Sequence, residues 1–234
     1  NSSNPGFVEI GRRLGKKRIY NYVKKFGLTQ KTGVDLPGES CGIMFDYKNF
    51  HELEQATVAF GQGISVTPLQ LVSAISACVN GGYLLQPHIL KEVRNNNNEI
   101  IYQAKRKVKR QVIKEETAKK VRDALESVVT DGGGRNAYID GYRIGGKTGT
   151  AQKAVNGSYV GGGYILSFVG IAPIDDPQIV LYIAMDNPKN CIQYGGTTVA
   201  PIARKMFLDI LPALNVKKVK SQRQKSFSVM DKKT

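Results

Sequence analysis

The sequence predicts an α+β domain, an antiparallel sheet with packed helices. Three observations carry that expectation. Apolar residues recur at helical spacing through the first half of the chain. Three apolar runs, "YRIGGKTGTAQ", "YILSFVGIAP" and "QIVLYIAMDNP", then lie close together, and a last helical stripe follows them. Short linkers between such runs favour antiparallel neighbours. Strands gathered in a block, rather than alternating with helices, argue against a βαβ fold.

The first element is "NPGFVEIGRRLGKKRIYNYVKKFGL". Phe7, Ile10, Leu14, Ile19, Val23 and Phe26 fall near helical intervals with Lys and Arg between them, which predicts a helix stopped at Gly27. The next stretch, "GLTQKTGVDLPGESCGIMFDYKNF", is punctuated by Gly33, Pro37, Gly38 and Gly42 and reads as loop. Thr67-Pro68 is an N-cap and first-turn pair. The helix it opens carries Leu71, Val72, Ile75, Cys78 and Val79 and ends at Asn80-Gly81-Gly82. "YLLQPHILKEVRN" reads as extended and "NNNNEIIYQ" as a turn and a strand. "ETAKKVRDALESVVTDGGG" predicts a helix with Ala118, Val121, Leu125 and Val128 on its stripe, ended by Gly132. After the three apolar runs, "TTVAPIARKMFLDILPAL" places Val199, Ile202, Met206 and Ile210 on one helical face. Three strands make a thin sheet for 234 residues. Either a further β element lies in the loops, or residues outside this chain complete the sheet.

With 41% hydrophobic residues the chain can bury one sizeable core or two small ones. The net charge of +15 raises nucleic acid as a partner. The charge is concentrated in "AKRKVKRQVIK" and in the terminal "KKVKSQRQKSFSVMDKKT", neither beside an RNA-binding aromatic signature or a zinc-finger spacing. Both read as solvated charge, the second as a basic disordered tail or linker over 215–234. No nucleic-acid partner is expected, and an anionic membrane surface or wall polymer suits the field equally well. Three Cys without paired spacing give no disulfide framework. No stretch reaches the ~18–20 apolar residues of a spanning helix. The chain begins with Asn1 rather than Met, which reads as an excised or processed piece with any anchor upstream.

Two stretches suggest chemistry. In "GGKTGTAQ", residues 145–152, close-set Gly stands in a strand pattern, where it marks a kink or the close approach of another backbone or a ligand. Period-two alternation puts the Thr148 and Thr150 hydroxyls on one face, and Lys147 adds a cation. The stretch is either a strand edge for an anionic, peptide-like ligand or a Gly-kinked edge strand with a solvated Lys. In "NSSN", Ser2 and Asn4 stand just before a helix and by themselves are ordinary helix-start residues.

Together these stretches resemble the C-terminal part of the transpeptidase domain of the class B penicillin-binding proteins. Ser2-Ser3-Asn4 is similar to the family's Ser-X-Asn motif, and Lys147-Thr148-Gly149-Thr150 to its Lys-Thr-Gly motif. "TGVDLPGE" and "AFGQGISVTPLQLVSAISACVNGG" resemble the family in order and spacing. The likeness covers residues 1–214 and leans toward the sporulation-specific members, of the stage V sporulation protein D type.

The resemblance implies a penicillin-binding fold and a serine-type D,D-transpeptidase. Such an enzyme cross-links peptidoglycan stem peptides, is acylated by β-lactams and needs no cofactor for its chemistry. It implies that Ser2 relays a proton to the leaving amine and that Asn4 hydrogen-bonds the substrate amide. Lys147 would hold positive charge near the hydroxyls and the substrate carboxylate, which Thr148 and Thr150 would bind. Gly149 would let the substrate backbone approach, and the Thr150 N–H would serve an oxyanion hole. It also implies a place at the extracytoplasmic face of the bacterial membrane, held by an anchor upstream.

One part of the family pattern is missing. The nucleophile belongs to Ser-X-X-Lys, yet no Ser here is followed three residues on by Lys: Ser65 leads to Pro68, Ser73 to Ser76, Ser127 to Thr130 and Ser167 to Gly170. The expected partner is therefore a segment of the same domain carrying Ser-X-X-Lys, without which this chain should fold poorly. A non-catalytic β-lactam or wall-fragment sensor of the same fold is the alternative. A structural zinc is a separate expectation, on Cys41, Asp46 and His51 of "ESCGIMFDYKNFHE" with Cys191 of "DNPKNCIQYGG". Cys, His and carboxylate are zinc ligands. No CxxC-type spacing supports the site, and the alternative is two unrelated loop thiols and a surface His.

Overall fold

The computed structural model describes residues 2–153 and 163–219. The chain divides into two compact units, residues 2–119 and 120–234, each treated by itself below.

In the first unit two helices, α1 (Asn4–Leu14) and α2 (Lys16–Lys25), stand where the apolar spacing predicted one. Gly15 separates them at φ 83°, ψ 152°, a left-handed backbone that glycine adopts without steric cost. The helix α3 (Glu52–Ala59), which apolar spacing did not reveal, packs on α1. A Cβ at Gly11 would lie 2.5 Å from Ala59 Cβ, so glycine is what lets these helices approach. Gln55 Nε2 crosses the contact and donates to Gly11 O at 2.9 Å. Ile19, Tyr20 and Phe50 form the nearby core, with the Tyr20 ring edge-on to Phe50 at 5.6 Å.

The helix α4 (Pro68–Val79) starts as predicted. Thr67 N–H donates to Gln70 Oε1 at 2.9 Å, and Gln70 N–H donates to Thr67 Oγ1 at 3.2 Å. Its buried face is Gln70, Ala74, Ala77 and Val79. Leu71, Val72, Ile75 and Cys78 of the expected stripe are only half-buried. Buried Gln70 remains satisfied, because its Nε2 donates to Gln30 O at 2.7 Å.

The long loop of residues 27–50 is organised by two carboxylates. Glu39 Oε1 accepts the Thr32 N–H and hydroxyl, each at 2.5 Å, and Oε2 accepts Gly33 N–H at 2.9 Å. Asp35 accepts the N–H groups of Ile89 at 2.7 Å and Leu90 at 2.9 Å. Burial works to raise the Glu39 carboxyl, and the bonds from Thr32 and Gly33 outweigh it, leaving it below its ordinary value. The Ile89 and Leu90 N–H groups hold Asp35 below its own. A depressed folded pKa means stability that is present above the unfolded value and lost as pH falls through the folded one. Melting temperature should therefore fall as pH drops below about 4. Glu39→Ala, which strips nearly buried Thr32 of its acceptor, should cost about 1–3 kcal/mol at neutral pH. Denaturant titrations of the two proteins at neutral and acid pH check both.

Part of the basic run read as solvated charge forms the strand β4 (Lys107–Gln111), which keeps Lys107 and Lys109 exposed and pairs antiparallel with β1 (Tyr83–Gln86). Lys109 Nζ donates to Thr32 O at 2.9 Å, so one of its cations helps to hold the loop. The strands β2 (Glu92–Arg94) and β3 (Ile100–Gln103) form a second antiparallel pair. These are the β elements hidden in the loops, and they make sheets of their own. The helix α5 (Glu115–Thr130) follows as predicted, and the division between the units falls within it.

The second unit holds the predicted antiparallel sheet: β5 (Gly145–Gln152), β6 (Tyr164–Ala172) and β7 (Ile179–Asp186), in that order. The short helix α6 (Gly195–Thr198) and the longer α7 (Ala200–Ala213) close the unit. Leu166 and Phe168 of the sheet meet Ala203, Phe207 and Leu211 of α7 in the core. The predicted face of α7 is displaced. Val199 is buried, but Ile202 and Met206 are 38% and 39% exposed. The packing stripe runs every fourth residue through 199, 203, 207 and 211, because Phe207 must meet the sheet where Gly170 leaves room; a Cβ at Gly170 would lie 2.5 Å from its ring. Residues just past 214 make contacts within this unit. Val219 N–H donates to Gly141 O at 2.8 Å and Lys218 Nζ lies 5.7 Å from the Tyr142 ring centre. The rest of the predicted tail, residues 220–234, lies outside the described residues.

Candidate active site

Lys147, Thr148, Gly149 and Thr150 share one strand because β5 pairs in unbroken register with β6 over its whole length. Thr148 stands opposite Phe168 and Thr150 opposite Leu166, so the two hydroxyls share a face as predicted. Lys147 and Gly149 occupy the other face, opposite Val169 and Ser167. Among the described residues β5 is an outer strand, paired with β6 alone.

Lys147 is half-buried, and its Nζ donates to Thr148 O at 2.8 Å. Burial pushes its ammonium below the ordinary lysine value. A Cβ at Gly146 would lie 2.5 Å from the Phe168 ring and 2.7 Å from Val169 O, whereas one at Gly149 would meet only the rotatable Ser167 hydroxyl. Glycine at 146 is thus required by the neighbouring strand, while at 149 a turn of the Ser167 side chain would make room for a Cβ.

Ser2 and Asn4 lie in the first unit, at the start of α1. Ser3 is the N-cap, its Oγ accepting Gly6 N–H at 3.4 Å. Asn4 and Pro5 open the first turn, where an Asn is exposed and the missing N–H of Pro is harmless.

The four residues expected to bind zinc are not brought together as a metal site. Among the described residues no group of three or more His, Cys, Asp or Glu side chains could hold a metal ion. Their local settings are these. His51 is the N-cap of α3, its N–H donating to Glu54 at 2.8 Å. Cys41 is an exposed free thiol, and Cys191 belongs to the second unit. Cys78, set aside as a core thiol, has its pKa raised to about 11 by burial.

The sequence family described as "Penicillin binding protein transpeptidase domain" matches residues 1–208. The chain belongs to the penicillin-binding protein transpeptidase family. Stage V sporulation protein D of Bacillus subtilis is 53% identical to it over 235 residues, covering 100% of this chain and 36% of that protein. The probable peptidoglycan D,D-transpeptidase PenA of Neisseria meningitidis is 32% identical, over 94% of this chain and 36% of its own length. Penicillin binding protein 3 of Mycobacterium tuberculosis, solved in complex with ampicillin, superposes with a TM-score of 0.87 at 33% identity, over 95% of this chain and 51% of that one. The transpeptidase domain of penicillin-binding protein 3 from Burkholderia pseudomallei gives 0.80 at 35% identity, over 92% of this chain and 63% of that one. This chain therefore spans about a third of the length of those curated relatives. The α+β penicillin-binding fold expected from the motifs is the fold found.

Sequence reasoning missed Gly195, Gly196 and Asn136. Gly195 N–H donates to Thr150 Oγ1 at 3.4 Å, and Asn136 Nδ2 donates to Gly196 O at 2.8 Å. The available signal was the pair of glycines directly before a helical stripe, in "YGGTT".

No helix among the described residues is long and apolar enough to cross a membrane.

Proposed function

We propose that the protein containing this chain is a serine-type peptidoglycan D,D-transpeptidase, acylated by β-lactams at a Ser outside residues 1–234. The observation that carries the reading is β5: an outer strand bearing Lys147-Thr148-Gly149-Thr150, in a chain that belongs to the transpeptidase family. An outer strand offers main-chain groups to an extended peptide, the β-augmentation mode of recognition. The likeness to a structure solved with ampicillin supports a β-lactam as a ligand of the same strand.

In this mechanism the Ser Oγ forms a bond to the penultimate D-Ala carbonyl carbon. The bond from that carbon to the last D-Ala nitrogen breaks, and the departing amine takes up a proton. The amine of a second stem peptide then attacks the ester, restores the Ser hydroxyl and leaves a cross-link. Lys147 and Ser2 serve the proton transfers, and burial of Lys147 favours its taking part by easing loss of its proton. Asn4 holds the substrate amide. Thr148 and Thr150 bind the terminal carboxylate through their hydroxyls, and the Thr150 N–H supplies one oxyanion donor. The segment carrying Ser-X-X-Lys completes the site. A protein that acts on peptidoglycan works at the extracytoplasmic face of the membrane, and we propose that this one is held there by an anchor outside residues 1–234. The identity to stage V sporulation protein D supports a role in the cell wall made during sporulation.

The test is to incubate the complete protein with a fluorescent penicillin and resolve the product under denaturing conditions. A covalent adduct that excess unlabelled penicillin prevents is the expected result. Absence of any adduct would overturn the assignment.

A further inference from the structure

We infer that Asn136, Gly195 and Gly196 are positioning residues that fix the Thr150 hydroxyl as a hydrogen-bond donor toward the ligand. The inference rests on the reading of β5 as the substrate strand and adds to it residues that carry no motif. Its physical content is the state of one hydroxyl. A Thr Oγ both accepts and donates, and its proton rotates to suit its surroundings. Gly195 N–H occupies an acceptor position of Thr150 Oγ1 at 3.4 Å. The hydroxyl proton is thereby turned away from Gly195 and kept for an acceptor, and an anionic carboxylate is the strong one.

That bond depends on where the Tyr194–Gly196 turn sits, and three contacts fix it. A Cβ at Gly195 would lie 2.5 Å from Ser167 O and 2.7 Å from Gly149 O, so the turn rests directly on the backbone of β5 and β6. A Cβ at Gly196 would meet Gly133 O, and one at Gly133 would lie 2.7 Å from the Tyr194 hydroxyl. The turn is therefore wedged between the sheet and the glycine run of residues 132–134. Asn136 fastens it, its Nδ2 donating to Gly196 O at 2.8 Å. Asn136 is itself exposed and belongs to no core cluster, so its amide can be removed without opening a cavity. The glycines cannot be changed so gently, because each admits a backbone oxygen where a methyl would stand.

Asn136→Ala and the similarly sized Asn136→Leu, which both lack the donor and add no charge, should therefore act alike in the complete protein. With a fluorescent penicillin, initial binding and the acylation step are separated by varying its concentration. Both variants should lower the second-order acylation constant about three- to tenfold, in keeping with the loss of one ordinary hydrogen bond, and should leave the melting temperature within a degree or two. The decisive arm is a double-mutant cycle with Thr150→Val, which removes the hydroxyl and keeps the shape. If Asn136 acts through that hydroxyl, Asn136→Ala has no further effect in the Thr150→Val protein. Unchanged acylation by the Asn136 variants, or effects that multiply fully in the double mutant, would overturn the inference. Those results leave the transpeptidase reading standing as long as the wild-type protein is labelled. Failure of the wild type to be labelled would strike at that reading instead.

Discussion

Lys147→Ala is expected to slow penicillin acylation of the complete protein about 10²–10⁴-fold, the range for loss of a positioned proton-transfer group. Its effect on stability should be small by comparison. The Lys147 side chain is half-buried and its Nζ–Thr148 O bond joins neighbours in the same strand. The pairing of β5 with β6 is made by backbone and survives truncation. Lys147→Arg should recover only part of the rate, because a guanidinium keeps the charge but does not give up its proton. The pH profile provides a second readout. Burial lowers the Lys147 pKa, so its neutral form is reached at lower pH than for a solvated lysine, and the limb of the profile due to that titration should vanish in Lys147→Ala. The measurement is the time course of covalent labelling across pH, with melting curves alongside. Wild-type acylation by Lys147→Ala would remove Lys147 from the mechanism.

Phe207→Ala should give the largest loss of stability, about 3–5 kcal/mol, the range for truncating a buried aromatic ring. Phe207 is fully buried and its ring fills the space above Gly170 of β6. It joins α7 to the sheet beside Leu166 and Phe168, so truncation leaves a cavity lined by rigid strand atoms that cannot collapse into it. Gly170→Ala approaches the same contact from the other side, driving a methyl into the ring, and should cost about 1–3 kcal/mol. Urea unfolding of the complete protein, followed by a probe within this domain, measures both. A Phe207→Ala protein as stable as the wild type would mean that α7 is held to the sheet elsewhere.

The fold was legible where local signals agreed with the packing. Thr67-Pro68 announced α4, and the three apolar runs announced the sheet. Their short connections left little choice but antiparallel pairing. The motif residues of β5 were legible because period-two alternation is a backbone property that needs no partner. The failures have separate sources. Ile202 and Met206 satisfy a helical stripe as well as Ala203 and Phe207 do, and nothing within the helix says that Gly170 lies opposite Phe207. Gly15 sits amid apolar residues whose spacing runs on past it, so periodicity hid the break. The zinc ligands were chosen by type and proximity in sequence, and among the described residues no three such side chains come together.

By itself the amino-acid sequence determined the order of the elements, the strands of the main sheet, the strand bearing Lys147 and the family to which the chain belongs. These follow from periodicity, capping and short motifs, all of which act over a few residues. Tertiary structure alone decided which face of α7 is buried, that Glu39 and Asp35 organise the long loop, and that Gly195 reaches the Thr150 hydroxyl. The physical reason is distance along the chain. Gly195 and Thr150 are 45 residues apart, and Asp35 and Leu90 are 55 apart. A hydrogen bond or close contact at such a separation leaves no periodic trace in either segment, and it exists only once the backbone between them has been folded into place.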